Sequence, residues 1–440
     1  MDIRIIALSA LDPAGLRKAT VDEERRGEVR TSVMAIIEDV RARGDEAVLE
    51  FTTKFDDVTL EASELQVTEQ EIEEAKASID QEVIDALETA RDNIRAFHAK
   101  QLPAEWEIET TPGVTPGLLI RPLDTVGIYV PGGLAFYPST VLMCTVPAVV
   151  AGVRRIVMAT PPRKDANIEP IVLASASIAG ATEIYKIGGA QAIAAMAIGT
   201  ATIPKVDAIV GPGNAYVSMA KQLLQGEVTI DSPAGPSEVL IVAGEKADPK
   251  LVALDMCAQA EHAQDAVAIA AVTSQEQADQ VVEAISALLP TLSRQAILGT
   301  SLEKNGLIIV VDKTTGDPGY IEDVARIING IAPEHLQLSL DDETIARLMP
   351  SIHNAGAIFL GETSPVPLGD YASGTNHVLP TNGMATRYSA LNTTNFIKYI
   401  PVTRASETGL RNLAKTIIAL ARFEHLDAHA RAVEDRIKEE

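Results

Sequence analysis

Cysteine is scarce in this chain, with two residues among 440. Cys144 and Cys257 both lie in apolar or alanine-rich runs, which excludes the dense disulfide framework of small secreted domains. This usage is typical of a reducing compartment, so we expect a soluble, cytoplasmic protein. The first twenty residues have too short an apolar stretch for a membrane helix and no clear cleavage site, so we expect no targeting segment.

Basic residues are also in deficit, because 37 Lys and Arg stand against 61 Asp and Glu, for a formal charge of −24. Nucleic acids and anionic membranes need clustered positive charge, so the composition argues against both as partners. With 46% hydrophobic residues over 440 positions, the chain can bury a large core and divide into two or more domains.

The spacing of hydrophobic residues changes near residue 110. Residues 20–110 show three-to-four spacing broken at Gly44, which predicts helices, and the Pro-, Gly- and Thr-rich stretch 102–117 predicts a boundary. Afterwards short apolar runs alternate with helical stretches, which indicates βαβ units around parallel sheets. The predicted strands are 124–133, 154–162, 183–189, 206–214, 238–244, 266–274, 306–312 and 355–361, with a helix at 248–262 capped by Asp248 and a helical tail from 407.

Three glycine-rich turns, "YVPGG", "KIGGAQ" and "VGPGN", follow predicted strands of the first series. Ligands of open parallel sheets bind beyond the carboxyl ends of the strands, where backbone amides and helix starts suit a phosphate. None of these turns completes the G-x-G-x-x-G fingerprint, because Tyr216 stands where the third glycine belongs. A nucleotide site and a purely structural role for the turns both remain open at this point.

Histidine is scarce too, and six of the seven follow residue 261. On a helix, Asp255, Gln259 and His262 share one stripe, because offsets of four and three return to the same face. Imidazole together with carboxylate or amide oxygen suits zinc first, with manganese or cobalt as alternatives. A hydrogen-bonded His–Gln pair is the structural alternative, and the zinc-hydrolase signature H-E-x-x-H is absent. Further polar candidates are Glu334 and His335; Asp370, Asn376 and His377; and Glu424, His425 and His429.

Several longer motifs carry a family resemblance: "GIYVPGG", "GGAQAIAAMAIGT", "GPGNAYV", "PAGPSEVLI", "AQAEH", "APEHL", "GDYASGTNHVLPT" and a terminal Glu-x-Leu-x-Ala-His. In this order and at these separations they resemble the histidinol dehydrogenase family over residues 20–435. The resemblance implies an α/β fold with two Rossmann-like parallel-sheet domains, similar to aldehyde dehydrogenases, and small helical terminal arms. The implied domains are an arm at 1–24, a first α/β domain at 25–110 plus 239–388 with the metal and catalytic residues, an NAD-binding domain at 111–238, and a helical tail domain at 389–440.

The resemblance also implies a reaction and its residues. The family oxidises L-histidinol to L-histidine, the last step of histidine biosynthesis, with two NAD⁺ and one zinc per subunit, as an intertwined homodimer. The implied zinc ligands are Gln259, His262, Asp370 and His429. The implied substrate contacts are Ser237, His335, His377 and Glu424 along with the metal ligands, and the implied NAD contacts are Tyr129, Gln191 and Asn214. Glu334 and His335 would be the acid–base pair.

The residue chemistry agrees with this reaction and leaves alternatives. His335 suits a base for the alcohol proton, and Glu334 could activate the water that an aldehyde needs. We expect no thiol nucleophile, since Cys257 points away from the stripe of Gln259 and has no activating cation in sequence. His425 replaces the family's usual glycine, which keeps another amino alcohol or a diol open as substrate. Two other classes of function remain as alternatives. A zinc-dependent hydrolase would have no use for the glycine-rich turns, and a non-catalytic protein that binds a metal for stability would not need the Glu334–His335 pair.

Overall fold

Two parallel β-sheets organise the chain, as the alternation of strands and helices predicts. The computed structural model describes residues 3–12, 23–132, 137–233 and 235–438. Its strands are β1 (Arg4–Ala7), β2 (Trp106–Glu107), β3 (Val114–Pro122), β4 (Thr125–Tyr129), β5 (Arg155–Thr160), β6 (Glu183–Lys186), β7 (Ala208–Val210), β8 (Thr229–Ile230), β9 (Glu238–Ala243), β10 (Val267–Val272), β11 (Gly306–Val310), β12 (His335–Ser339), β13 (Ala357–Leu360) and β14 (Ile397–Ala405).

Helices cover both parallel sheets and form a pair at the end of the chain. They are α1 (Glu23–Arg43), α2 (Asp45–Asp56), α3 (Glu69–Ala77), α4 (Gln81–Ala99), α5 (Pro138–Ala151), α6 (Pro170–Ala179), α7 (Gly189–Ile198), α8 (Ala215–Leu223), α9 (Pro249–Ala260), α10 (Gln275–Leu288), α11 (Gln295–Asn305), α12 (Tyr320–Ile331), α13 (Asp342–Leu348), α14 (Val366–Tyr371), α15 (Glu407–Phe423) and α16 (Asp427–Ile437). Within the described ranges, no helix is long and apolar enough to cross a membrane.

The larger sheet has the order β1-β11-β10-β9-β12-β13 and the smaller one β6-β5-β4-β7-β8, and all their pairings are parallel. Central strands such as β9 are apolar after their first residue, because helices cover both faces of the sheet. A third, antiparallel sheet has the order β14-β3-β2. The predicted α/β class with two parallel sheets is therefore confirmed.

Local signals predicted several boundaries correctly. Gly44, with φ of 58°, separates α1 from α2, a backbone conformation that glycine adopts at little cost. The Asp248 side chain accepts a hydrogen bond from the Lys250 N–H at the start of α9, and Pro249 occupies the first turn. The sequence missed β12, which is short and opens on a histidine, and the β3–β14 pair, which is rich in proline and largely exposed on the β14 side.

Helices α1 to α4 pack on the smaller sheet. Helices α1 and α2 contact α7 and α8, whereas α3 and α4 contact α5 and α6. This corrects the domain assignment that grouped residues 25–110 with 239–388, since the described part of that segment belongs with 111–238. An amphipathic pattern predicts that a helix buries one face, but it does not indicate which sheet covers that face.

The two ends of the chain differ from the small helical arms that the family resemblance implies. Strand β1 pairs with β11 at the edge of the larger sheet, so residues 4–7 are part of a domain, while residues 13–22 of the predicted arm lie outside the described residues. The helical stretch predicted from 407 is confirmed by α15 and α16, whereas the segment 389–440, predicted as a helical tail domain, also contains β14.

Candidate active site

Glu334 and His335 lie at the start of β12 and are almost completely buried, with relative exposures of 5% and 4%. The main chain of Glu238, the first residue of neighbouring β9, holds both side chains. Its N–H donates to Glu334 Oε2 at 2.8 Å, and its carbonyl oxygen lies 3.2 Å from His335 Nδ1. Because a carbonyl can only accept, Nδ1 carries a proton and Nε2 is the basic nitrogen of the neutral ring.

His335 Nε2 faces the carboxylate of Asp370. Nε2 lies 3.5 Å from Asp370 Oδ1, yet it has no hydrogen-bond partner among the described residues. Burial disfavours the charged imidazole, but the carboxylates of Glu334 and Asp370 outweigh it and raise the pKa of His335 to about 9. Burial raises the pKa of Glu334 to about 7. The imidazole of His335 and the carboxyl of Glu334 thus both have pKa values far from their ordinary ones, which is typical of a catalytic site.

His377 connects this cluster to the smaller sheet. Its Nδ1 lies 2.9 Å from the carbonyl oxygen of Asp370, and its Nε2 lies 3.2 Å from Oγ1 of Thr140, in the first turn of α5. The neighbouring Asn376 is buried and donates to the carbonyl of Met143, also in α5. The Asp370–His377 loop is therefore docked between the two parallel-sheet units.

Gln259 lies in the last turn of α9, whereas His262 follows the helix, which ends at Ala260, two residues before the predicted end at 262. Gln259 is 2% exposed, and neither its amide oxygen nor its amide nitrogen has a hydrogen-bond partner among the described residues. His262 is exposed, yet it lies close enough to Asp370 and His335 for their charges to act on it. Partial desolvation lowers the pKa of His262, and the negative charge of Asp370 opposes this shift. Amide oxygen, imidazole nitrogen and carboxylate oxygen are donors suited to a borderline divalent ion.

This cluster lies at the amino edge of the larger sheet, because His335 and Glu238 are the first residues of their strands. The cluster therefore lies at the edge opposite to the carboxyl ends of the strands, where ligands of open parallel sheets usually bind. Ser237, directly before Glu238, is half-buried at the same edge, and its carbonyl oxygen accepts from the Val267 N–H.

A large cavity of about 1530 Å³ lies at the carboxyl edge of the smaller sheet and brings together Tyr129, Gln191 and Asn214. The Tyr129 hydroxyl accepts from the Gly189 N–H at the start of α7 at 3.0 Å, and Asn214 caps α8. Both amide atoms of the buried Gln191 lack a partner among the described residues. The glycine-rich turns thus meet at one cavity as predicted, although none of the cluster residues described above is among those lining it.

The tail residues are placed differently. Glu424, His425 and His429 are exposed around the junction of α15 and α16. The tail hydrogen-bonds to the loop before β3, where the Ser406 N–H and the Asn412 side chain donate to the carbonyls of Gly113 and Pro112. Among the described residues, no three His, Cys, Asp or Glu side chains are grouped to hold a metal ion. Of the four implied zinc ligands, His262 and Asp370 are close enough within one chain for their charges to interact.

Sequence reasoning missed two residues that shape the site, Glu238 and Thr140. Glu238 acts through its main chain, which no side-chain motif reports. The one available signal was a charged residue opening the otherwise apolar strand "EVLIVA". Thr140 lies in an apolar helix and gave no signal.

Comparison with known proteins shows the family of this chain. A family model described as histidinol dehydrogenase matches residues 19–437. The chain belongs to the histidinol dehydrogenase family. The histidinol dehydrogenase of Methanothermobacter thermautotrophicus is 48% identical over 409 residues, which are 92% of this chain and 93% of that protein. That of Methanosarcina barkeri is 45% identical over 98% of this chain and 96% of its own length.

A crystal structure of histidinol dehydrogenase from Elizabethkingia anophelis has the same fold. It superposes with a TM-score of 0.90 at 38% identity and covers 99% of this chain and 98% of that one. Membership of the histidinol dehydrogenase family makes the chain an oxidoreductase. Both parallel-sheet units and the helices around them are shared over the full length.

Proposed function

We propose that this protein oxidises L-histidinol to L-histidine through histidinal, the last step of histidine biosynthesis, using two NAD⁺. The observation that carries the proposal is the unpartnered Nε2 of buried His335, held beside Asp370 and next to Glu334. Relatives named histidinol dehydrogenase at 48% and 45% identity support this substrate. We also propose a cytoplasmic location, which the free and buried Cys144 and Cys257 support.

We propose that Gln259, His262 and Asp370 hold a zinc ion, with His429 as the fourth ligand. The buried amide of Gln259 supports this proposal, because a buried amide without a partner costs about 1–3 kcal/mol and needs a compensating contact. Bound there, zinc would supply a positive charge that orients the amino alcohol and offsets the carboxylate charge beside His335. NAD would bind at Tyr129, Gln191 and Asn214 and accept the hydride.

His335 is the base of the first oxidation. Its Nδ1–H is engaged by the Glu238 carbonyl, so in the neutral ring Nε2 takes the alcohol proton as the hydride leaves the carbon, and this neutral fraction grows as the pH rises towards 9. A buried imidazole positioned in this way contributes about 10²–10⁴-fold to the rate.

Glu334 serves the hydration of the aldehyde. Its raised pKa keeps the carboxyl near its midpoint at neutral pH, so it can take a proton from the water that adds to the carbonyl. His335 then removes a hydroxyl proton from the hydrate as the second hydride leaves. Over both steps, one alcohol, one water and two NAD⁺ become one carboxylate, two NADH and three protons.

We propose a homodimer in which the tail of each subunit completes the site of the other. This arrangement would bring His429 and Glu424 of the partner subunit to the cluster, which one chain does not do. Exposed apolar side chains near the junction of α15 and α16 support a contact with a second subunit. Phe423 has a relative exposure of 86%, and Leu420 and Leu426 are exposed beside it. Such a contact would be isologous, as in most soluble homodimers.

Mixed dimers test this arrangement. Refolding H262A and H429A chains together at equal concentration should restore about a quarter of the wild-type activity, since half of the dimers are hybrids and half of the sites in a hybrid are intact. Each variant refolded alone is the matched control. No restoration in the mixture would contradict a site shared between subunits.

The stoichiometry of the reaction tests the proposed function. With zinc-loaded protein and excess NAD⁺, we expect two NADH for each L-histidinol consumed. One NADH would show that the reaction stops at the aldehyde and would remove the role of Glu334. No NADH with L-histidinol, but turnover of another amino alcohol, would indicate that His425 marks a change of substrate.

A further inference from the structure

Asp56 is a half-buried carboxylate that none of the proposed steps uses. It is the last residue of α2 and lines the cavity shared by Tyr129, Gln191 and Asn214. Its Oδ2 is buried and has no hydrogen-bond partner among the described residues, and burial raises the pKa of Asp56 to about 6. An unsatisfied buried carboxylate oxygen is costly, so the position implies a donor that arrives with a ligand.

The neighbours of Asp56 indicate which part of a dinucleotide it faces. Its charge acts on the Tyr129 hydroxyl, which accepts from the Gly189 N–H at the start of α7. A helix start of this kind binds phosphate oxygens. In a nucleotide the ribose is bonded directly to the phosphate, so a ribose lies within reach of a carboxylate beside that helix start.

The adenosine half fits this end of the cavity. The nicotinamide must reach His335 to accept hydride, and none of the cluster residues is among the residues that line the cavity. Phe51 and Phe55, which do line it, are stacked with ring centroids 5.7 Å apart and planes 3° apart. Phe55 is half exposed and offers an apolar face to a base.

The cations of the same cavity already have partners. Arg163 Nη1 donates to Glu169 Oε2 at 2.7 Å, and Lys164 lies 3.9 Å from Asp57. The Lys54 ammonium lies 5.3 Å from the centre of the Phe55 ring. A 2′-phosphate would therefore meet the negative charge of Asp56, whereas sites for NADP present an arginine to that phosphate.

We propose that the Asp56 carboxylate accepts hydrogen bonds from the 2′- and 3′-hydroxyls of the adenosine ribose and makes this protein select NAD over NADP. The inference rests on the proposed use of NAD. Asp56 acts as a specificity residue of the cofactor cavity and takes no part in the acid–base chemistry.

The test measures binding without turnover. Titration calorimetry on the full-length protein compares ADP with 2′,3′-dideoxyadenosine 5′-diphosphate, and NAD with NADP, for wild type, D56N and D57N. Asp57 is the matched control, because it follows directly in the chain but is 86% exposed and does not line the cavity. Wild type and D57N should prefer ADP over the dideoxy nucleotide by about 10- to 100-fold, the contribution expected of hydrogen bonds to a charged acceptor.

In D56N both preferences should shrink together, because the amide keeps one neutral acceptor oxygen in place of the charged carboxylate, and NADP should approach NAD. The wild-type comparison stands on its own if D56N does not fold. Equal binding of the two nucleotides by wild type, or unchanged preferences in D56N, would overturn the role of Asp56 while leaving NAD as cofactor. Failure of wild type to bind NAD would overturn the cofactor assignment itself, and the role of Asp56 with it.

Discussion

Replacing Lys221 by methionine removes one half of a buried ion pair at the turn that follows β7. Lys221 in α8 pairs with Asp231, and their side chains are only 3% and 6% exposed. The pair clamps the turn after β7 from both sides, because the Lys221 ammonium donates to the Gly211 carbonyl at 2.9 Å and Asp231 Oδ2 accepts from the Gly211 N–H at 2.8 Å. Gly211 has φ of 115°, and a Cβ there would lie 2.1 Å from the Tyr129 carbonyl oxygen, so the turn is tightly packed.

The expected cost follows from what each substitution leaves behind. K221M leaves the Asp231 carboxylate buried, with the Gly211 N–H still donating to it, and D231N leaves the Lys221 ammonium buried against the Gly211 carbonyl. An unpaired buried charge of this kind costs about 3–5 kcal/mol of unfolding free energy. The double variant K221M/D231N buries no charge, so its loss should be well below the sum of the two single losses.

Urea unfolding followed by far-ultraviolet circular dichroism measures these free energies, since urea is uncharged and leaves ion pairs unscreened. K76M is the control, because Lys76 forms an exposed pair with Glu73 at 3.5 Å and its loss should cost less than about 1 kcal/mol. Single losses near the control value, or a double variant that loses the full sum, would refute the reasoning. A weakened affinity for NAD in K221M, beyond that in K76M, would confirm that the pair positions the turn.

Three further outcomes are expected. H335Q should lower kcat by about 10²–10⁴-fold with KM for the substrate little changed, measured by NADH release; a change confined to KM would refute His335 as the base. H262A should lose zinc and activity together while E334Q keeps its zinc, as metal analysis after gel filtration would show; full zinc in H262A would contradict its role as a ligand. Burial raises the pKa of Asp56 from 3.8 to about 6. The ionised carboxylate therefore destabilises the ligand-free fold above pH 6, and this destabilisation disappears as the pH falls towards 4 and the carboxyl becomes protonated. D56N should therefore raise the thermal midpoint of the ligand-free protein more at pH 8 than at pH 4.5, and an equal gain at both would contradict this.

Much of the fold and part of the site could be predicted from local signals. Gly44 and Asp248 marked helix boundaries because backbone conformation and capping depend on a few adjacent residues. The turns after β4, β6 and β7 could be placed at one edge because parallel strands end together. Strand β14 could not be predicted, because its side chains are mostly exposed and its pairing with β3 joins segments nearly three hundred residues apart.

The sequence by itself determined the residue types of the site, the alternation that makes two parallel sheets, and the family to which the chain belongs. Tertiary structure decided which segments meet. It placed β12 beside β9, so that the Glu238 main chain fixes the tautomer of His335, and it put this cluster at the amino edge of its sheet. It also placed α1 to α4 on the smaller sheet and left the tail apart from the cluster within one chain. The physical reason is that local periodicity specifies which face of an element is apolar, whereas the partner of that face is chosen by long-range packing and strand pairing.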